Sequence, residues 1–185
     1  MRKNGGFTLI EVLIVVAISA MLAGIAISYS GAERNQTALS VAETEISQFI
    51  LQARSLAIAT YSNAEGSACG YGVSFNASDN TYSIFAYVPG GSACPQPSDI
   101  TSAPTLDSEK LYTDETWKVH LQNGVTFSMS SSSALSSILF IPPDPATLLF
   151  DGSGNLASQG SVNLVTVDGT MSRTISVDSA GQVNF

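Results

Sequence analysis

The sequence predicts an α+β protein in which one long amino-terminal helix precedes an antiparallel β-sheet domain. Three observations predict it. An apolar run from Phe7 to Ile27 carries a single charge, Glu11. Behind that run, apolar residues recur at three- and four-residue steps, and no proline interrupts the chain between Phe7 and Tyr61. From Ser62 onward the helical period stops, and short β-branched and aromatic runs alternate with Gly, Ser, Asn and Asp.

The apolar run is long enough to cross a bilayer, since about 20 residues at ~1.5 Å each match a ~30 Å hydrocarbon core. A carboxylate so close to its start needs a reason. Placing Glu11 in lipid costs roughly 2.5–3.5 kcal/mol on insertion scales, and an intramembrane acid implies function and a partner. The nearest candidate is a new amino terminus. Cleavage after Gly6 would give Phe7 an α-ammonium, which on a neighbouring copy could lie at the depth of Glu11. Arg2 and Lys3 resist translocation and hold the amino terminus in the cytoplasm. Two plainer readings compete. A secretory signal peptide would use Ser28-Tyr29-Ser30 as its cleavage site, but the apolar stretch exceeds the usual ~7–15 residues and contains an acid. A simple single-pass anchor accounts for neither Gly5-Gly6-Phe7 nor the helix that follows.

Gly6-Phe7-Thr8-Leu9-Ile10-Glu11, behind a short basic leader and ahead of an apolar helix, resembles the type IV pilin and pseudopilin superfamily. The resemblance implies a pilin-like fold and cleavage between Gly6 and Phe7 by a membrane prepilin peptidase that also methylates the Phe7 amine. It further implies assembly into a filament in which Glu11 neutralises the Phe7 amine of an adjacent subunit. The expected organisation is a leader at 1–6, a transmembrane and filament-core helix at 7–30, an amphipathic helix half at 31–62 and an extracytoplasmic β-rich domain at 63–185. The implied partners are other pilins or pseudopilins, the peptidase/methyltransferase, a membrane assembly platform, and lipid before assembly. The implied location is the inner (cytoplasmic) membrane, then an extracytoplasmic filament.

Beyond the membrane segment, Leu39, Ala42, Ile46, Phe49, Ile50, Ala53, Leu56, Ala57 and Thr60 line one helical face, and Glu43, Glu45, Gln48, Gln52 and Arg54 fall on others. One helix of about 55 residues is expected, with Gly24 and Gly31 as its weak points. A break near 28–34 between two separate helices is the alternative. Strands are expected at 71–75, 81–88, 117–121, 125–129, 138–141, 148–150, 162–167, 171–177 and 182–185. Asn76-Ala77-Ser78-Asp79-Asn80 reads as a hairpin connection and Asp168-Gly169 as a tight turn. The segment 89–115, with Pro95, Pro97 and Pro104, reads as an irregular surface loop pinned at one end by Cys94.

The chain of 185 residues has room for the helix and one domain. Its formal charge is −8, and removing Arg2 and Lys3 with the leader takes it to −10. No basic patch remains, so general nucleic-acid binding is disfavoured. Cys69 and Cys94 are the only cysteines. In an exported domain they suggest one disulfide, closing a loop of about 25 residues and stabilising by roughly 3 kcal/mol in the chain-entropy model. Two free buried thiols are the alternative.

No catalytic constellation assembles, so the chain is not read as an enzyme, and no cofactor is expected. The lone His120 sits in an alternating strand pattern, no Gly-x-Ser-x-Gly or phosphate loop occurs, and Asp107, Glu109, Asp114 and Glu115 read as a solvated acidic face. Zinc would need more ligands than His120 and two cysteines supply. Asp151-Gly152-Ser153-Gly154-Asn155 opens like a calcium loop, but Val162 stands where the twelfth-position glutamate belongs, and a glycine-rich turn is the better reading.

Gln52-Ala53-Arg54-Ser55-Leu56-Ala57-Ile58-Ala59, Leu149-Phe150-Asp151-Gly152-Ser153-Gly154 and Ile175-Ser176-Val177-Asp178-Ser179-Ala180-Gly181-Gln182-Val183 look like the FimT/GspH group of minor pilins and type II secretion pseudopilins. Members of that group that help take up DNA tend to end in glycine-arginine-x-arginine. Here Gly181-Gln182-Val183-Asn184 lacks both guanidiniums, against a direct DNA contact. The expected function is a structural subunit of a type IV pilus or type II secretion pseudopilus. The alternative is a pilus-associated binding protein, an adhesin or a DNA-uptake receptor using the loops of 89–115.

Overall fold

The computed structural model describes residues 8–61, 68–89, 94–104, 118–128, 133–142 and 145–184, excepting the side chains at 27–32 and 60–61. Gly6, Phe7, the acids at 107–115 and the strand ends at 117, 129 and 185 lie outside that set, as does the side chain of Thr60. The architecture is α+β and pilin-like: an apolar amino-terminal helix, then antiparallel sheets. Helix α1 spans Leu9–Tyr61, 53 residues, as the proline-free sequence requires. By its contacts the chain divides after Thr37 into two compact units.

In the first unit α1 is exposed along its apolar residues, from Leu9 at 83 % to Ile25 at 60 %. The stretch Leu9–Ala26 is apolar and long enough to cross a membrane, with mean hydropathy 2.6. An aliphatic surface this extended needs burial to be stable in water.

Among the described residues the second unit holds ten strands: β1 (Gly70–Asn76), β2 (Thr81–Tyr87), β3 (Lys118–His120), β4 (Val125–Ser128), β5 (Leu135–Ile141), β6 (Ala146–Asp151), β7 (Leu156–Ala157), β8 (Gln159–Thr166), β9 (Ser172–Asp178) and β10 (Val183–Asn184). They form a six-stranded sheet ordered β3-β2-β1-β5-β6-β7 and a four-stranded sheet ordered β10-β9-β8-β4, in which the named strands pair antiparallel throughout. Leu39, Ala42, Ile46, Ile50, Ala53 and Ala57 of α1 enter the same core as Val73, Ile84, Ile138 and Leu149 of the larger sheet and Val162, Leu164, Ile175 and Val177 of the smaller. Phe49 and Leu56 are only half-buried at the edge of that stripe.

The stripe runs closer to Glu43 than the polar-face assignment allows. Glu43 is buried, with 7 % of its surface exposed, and its Oε2 lies 3.4 Å from the Arg173 guanidinium on β9. A single long contact offsets the desolvation of the acid without making the pair a net source of stability. Glu45, one position beyond the stripe, accepts from the Tyr82 hydroxyl at 3.5 Å and the Gln122 side chain at 3.0 Å. Burial, then the Glu45 charge, pushes the Tyr82 phenol up to about 12. A raised folded-state value means that this tyrosine's contribution is intact below the unfolded value of about 10 and is lost between about 10 and 12. Ultraviolet titration should therefore show one tyrosine ionising late, and Glu45→Gln should bring it earlier.

Four hairpins share one device. Asn76, Asp151, Asp168 and Asp178 each accept, through Oδ1, the backbone N–H two residues on, at 2.8–3.1 Å. Each turn then contains a residue in the left-handed region: Asn80, Gly154, Gly169 and Gly181 respectively. Asp151 and Asp178 also accept a second amide, from Asn155 and Gln182, both at 2.9 Å. Two of the three segments that look like the FimT/GspH group therefore include the same turn. In the Asp151 turn the amides of Asn155 and Ser153 hold the carboxyl below its usual range. Its Oδ1 is occupied by the loop's own backbone, as a hairpin turn demands, and among the described residues no cluster of three or more metal-ligating side chains forms.

The segment 94–104 is irregular, largely exposed and pinned at Cys94, as expected, but it also carries one buried anchor. Cys94 is disulfide-bonded to Cys69, with Cα atoms 5.3 Å apart, and a short 3-10 turn at Pro97–Asp99 leads into buried Ile100. Ile100 packs with Phe85, Leu139, Ile141 and Phe150 on the face of the larger sheet turned away from α1. The far end is pinned by the Ala103 amide, which donates to the Gly154 carbonyl at 2.9 Å, and by a bridge between Ser102 and Asn155. The segment is thus a strap over a second small core. Buried apolar residues on both faces, with parity corrected by a bulge between Leu135 and Ser137, explain why β5 reads as a near-continuous apolar run.

Candidate assembly site

Glu11 lies in the first turn of α1 and is exposed. Its Oε2 is 3.4 Å from both the Thr8 backbone nitrogen and the Thr8 hydroxyl, while the Thr8 carbonyl accepts the Glu11 and Val12 amides. This is half of a capping box: a threonine at the helix start and a glutamate three residues on that satisfies one orphan N–H. The pattern Thr8-x-x-Glu11 is legible in the sequence and gives Glu11 a structural role at the helix start. Both contacts are long, and neither supplies a positive charge. The cap orients the carboxylate at the helix start without neutralising it.

Around it Leu9, Val12, Leu13, Val16, Ala17 and Ala20 form an open apolar groove along one side of the helix. An anionic group beside an apolar groove can accept an apolar helix that carries a positive charge at matching depth. Of the residues singled out from sequence, Glu11 stands here, Gly6 and Phe7 fall outside the described residues, and Cys69 and Cys94 lie together in the second unit.

Within the second unit, the solvent face of α1 has a composition that sequence periodicity does not bring out. Ser40, Val41, Thr44, Gln48, Leu51, Gln52, Ser55, Ile58 and Ala59 are exposed, and none is charged. The helix's charges in this stretch, Glu43, Glu45 and Arg54, are buried or half-buried instead. Solvated helix faces ordinarily carry the charges. His120 is exposed on β3, an edge strand, with no catalytic partner among the described residues.

Residues 1–27 match the family model for the prokaryotic N-terminal methylation motif. With the apolar helix that opens α1, this match supports placement in the type IV pilin and pseudopilin superfamily, whose motif marks structural rather than catalytic subunits. Motif and helix together point to anchoring in a membrane and, in general terms, to assembly with other pilins after prepilin peptidase processing. No curated protein and no solved structure matches the chain.

Proposed function

We propose that the chain is a structural subunit, of the minor pilin or pseudopilin kind represented by the FimT/GspH group, in a type IV pilus or type II secretion pseudopilus. The observation that carries the reading is a carboxylate, Glu11, with no basic partner among the described residues, at the start of the exposed apolar stretch of α1 and inside a methylation motif. On this reading residues 1–6 are a leader removed between Gly6 and Phe7, and Phe7 is N-methylated. Residues 7–30 hold the chain in the inner membrane with the amino terminus cytoplasmic. Residues 31–62 form the amphipathic half of the helix, and 63–185 lie outside the cytoplasm. Assembly then transfers the apolar helix from lipid to a bundle of like helices, where the amine of one Phe7 neutralises the Glu11 of its neighbour.

The uncharged outer face of α1 in the second unit supports the same reading, since a surface destined for burial against other subunits gains from lacking charges that would need desolvation. Leu51 is 54 % and Ile58 50 % exposed, so Leu51→Glu with Ile58→Glu should change stability by only about 0.5 kcal/mol per site. The double variant should retain its circular dichroism and thermal midpoint while its share in sheared filaments falls. Normal incorporation would remove this face from the assembly contact.

A further inference from the structure

We propose that Asn123-Gly124 is a site of spontaneous modification, at which the asparagine is converted through a cyclic imide to aspartate and isoaspartate. The inference does not rest on the filament reading. It rests on the turn between β3 and β4, where the chain passes from the larger sheet to the smaller.

Both residues are exposed. Among the described residues the Asn123 side chain has no hydrogen-bond partner and the Gly124 amide donates to none, so no hydrogen bond engages either reacting group. Gly124 adopts φ +95°, a conformation that favours glycine, and a Cβ here would meet nothing within 4 Å. No side chain on residue 124 shields the nitrogen that must attack, and the space beside its Cα is empty. The residue type the turn demands is also the one that least obstructs the reaction.

The chemistry needs only water. The Gly124 amide nitrogen gives up its proton and attacks Asn123 Cγ, the side-chain carbon–nitrogen bond breaks, and ammonia leaves with that proton. Water then opens the five-membered imide at either carbonyl. Opening at one gives aspartate, and opening at the other gives isoaspartate, in which the main chain runs through the former side chain and gains a methylene.

Other turns in the same fold lack this freedom. Asp151 and Asp168 also precede glycine, but Asp151 Oδ1 accepts two backbone amides, and Asp168 Oδ1 accepts the Thr170 amide at 3.1 Å and the Thr170 hydroxyl at 2.8 Å. Asn76 is held at both ends, its Oδ1 by the Ser78 and Asp79 amides and its Nδ2 by Asp79 Oδ2.

Position gives the change a structural consequence. The Val125 amide donates to the Gln122 carbonyl and the Val167 amide to the Gly124 carbonyl, both at 3.0 Å, so the turn is stitched to the tip of the β8–β9 hairpin. An inserted methylene displaces these carbonyls relative to their donors. A new carboxylate also arrives beside Gln122, whose side chain donates to Glu45.

The test is to age the full chain in detergent micelles in warm, mildly alkaline oxygen-18 water. Each asparagine is then followed by peptide mass, with fragmentation that separates aspartate from isoaspartate. Label should enter at residue 123 in excess of all other described asparagines combined, with isoaspartate among the products, and Asn123→Gln should abolish that label. In the aged isoaspartate fraction, hydrogen exchange at Val125 and Val167 should rise while Leu164 and Val177 stay protected. Conversion of Asn123 no faster than that of Asn76 would overturn the assignment of the site. Unchanged protection at Val125 and Val167 in the isoaspartate form would overturn its structural consequence.

Discussion

Glu11→Ala is expected to leave the chain in the membrane and to keep it out of the filament. Removing the acid lowers the cost of insertion by roughly 2.5–3.5 kcal/mol, so the membrane-bound pool should be undiminished or larger. On the proposed pairing, the same change would strand the neighbour's Phe7 ammonium in an apolar bundle in the assembled state. Breaking a buried pair in this way costs roughly 3–5 kcal/mol, and at about 1.4 kcal/mol per factor of ten that is about a hundredfold or more in the association constant. Immunoblots of membrane and sheared filament fractions read the two effects separately. Glu11→Gln discriminates further, because it can keep the capping contact to Thr8 while losing the charge. If it behaves as Glu11→Ala does, the charge is responsible, whereas normal incorporation of both variants would end the pairing argument.

Replacing Cys69 and Cys94 together by serine should lower the stability of the second unit by roughly 3 kcal/mol, the loop-closure contribution of a bridge spanning 25 residues. The damage should be local before it is global. The disulfide fixes one end of the strap that seats Ile100 over Phe85, Leu139, Ile141 and Phe150, and the other end hangs on the Ala103 amide and the bridge at Ser102. In the serine variant the Ala103 amide should exchange quickly, while Val73 and Leu164 in the main core remain protected. Urea midpoints give the size of the loss, and site-resolved exchange gives its place. An Ala103 amide as slow in the variant as in the native protein would show that Ile100 alone holds the strap.

The parts of this fold that follow from local chemistry were legible in the sequence. The absence of proline and the alternating apolar steps define α1, and the β-branched runs locate most strands to within two or three residues. The Asx-and-glycine pattern marks hairpins at Asn76 and Asp168, and the two cysteines pair as expected in an exported domain. What escaped depends on partners distant in sequence. Glu43 looks polar-facing because periodicity alone cannot know that Arg173, 130 positions later, will meet it beneath the helix. Two-residue β7 has no pattern to detect and exists because the Asp151 turn folds it back on β6. Ile100 is a single apolar residue in a proline-rich stretch, and only the second face of the larger sheet gives it somewhere to go. At the candidate site the acid itself was conspicuous. The cap it forms with Thr8 is also legible, as a threonine three residues before a glutamate.

The account stands on processing between Gly6 and Phe7. The direct measurement is intact mass and amino-terminal sequencing of the full chain recovered from cells with and without a prepilin peptidase. It predicts a mature chain that begins with N-methylated Phe7 and disappears when the peptidase is absent. A chain beginning near Gly31, or one retaining Met1 in the presence of the peptidase, would contradict it.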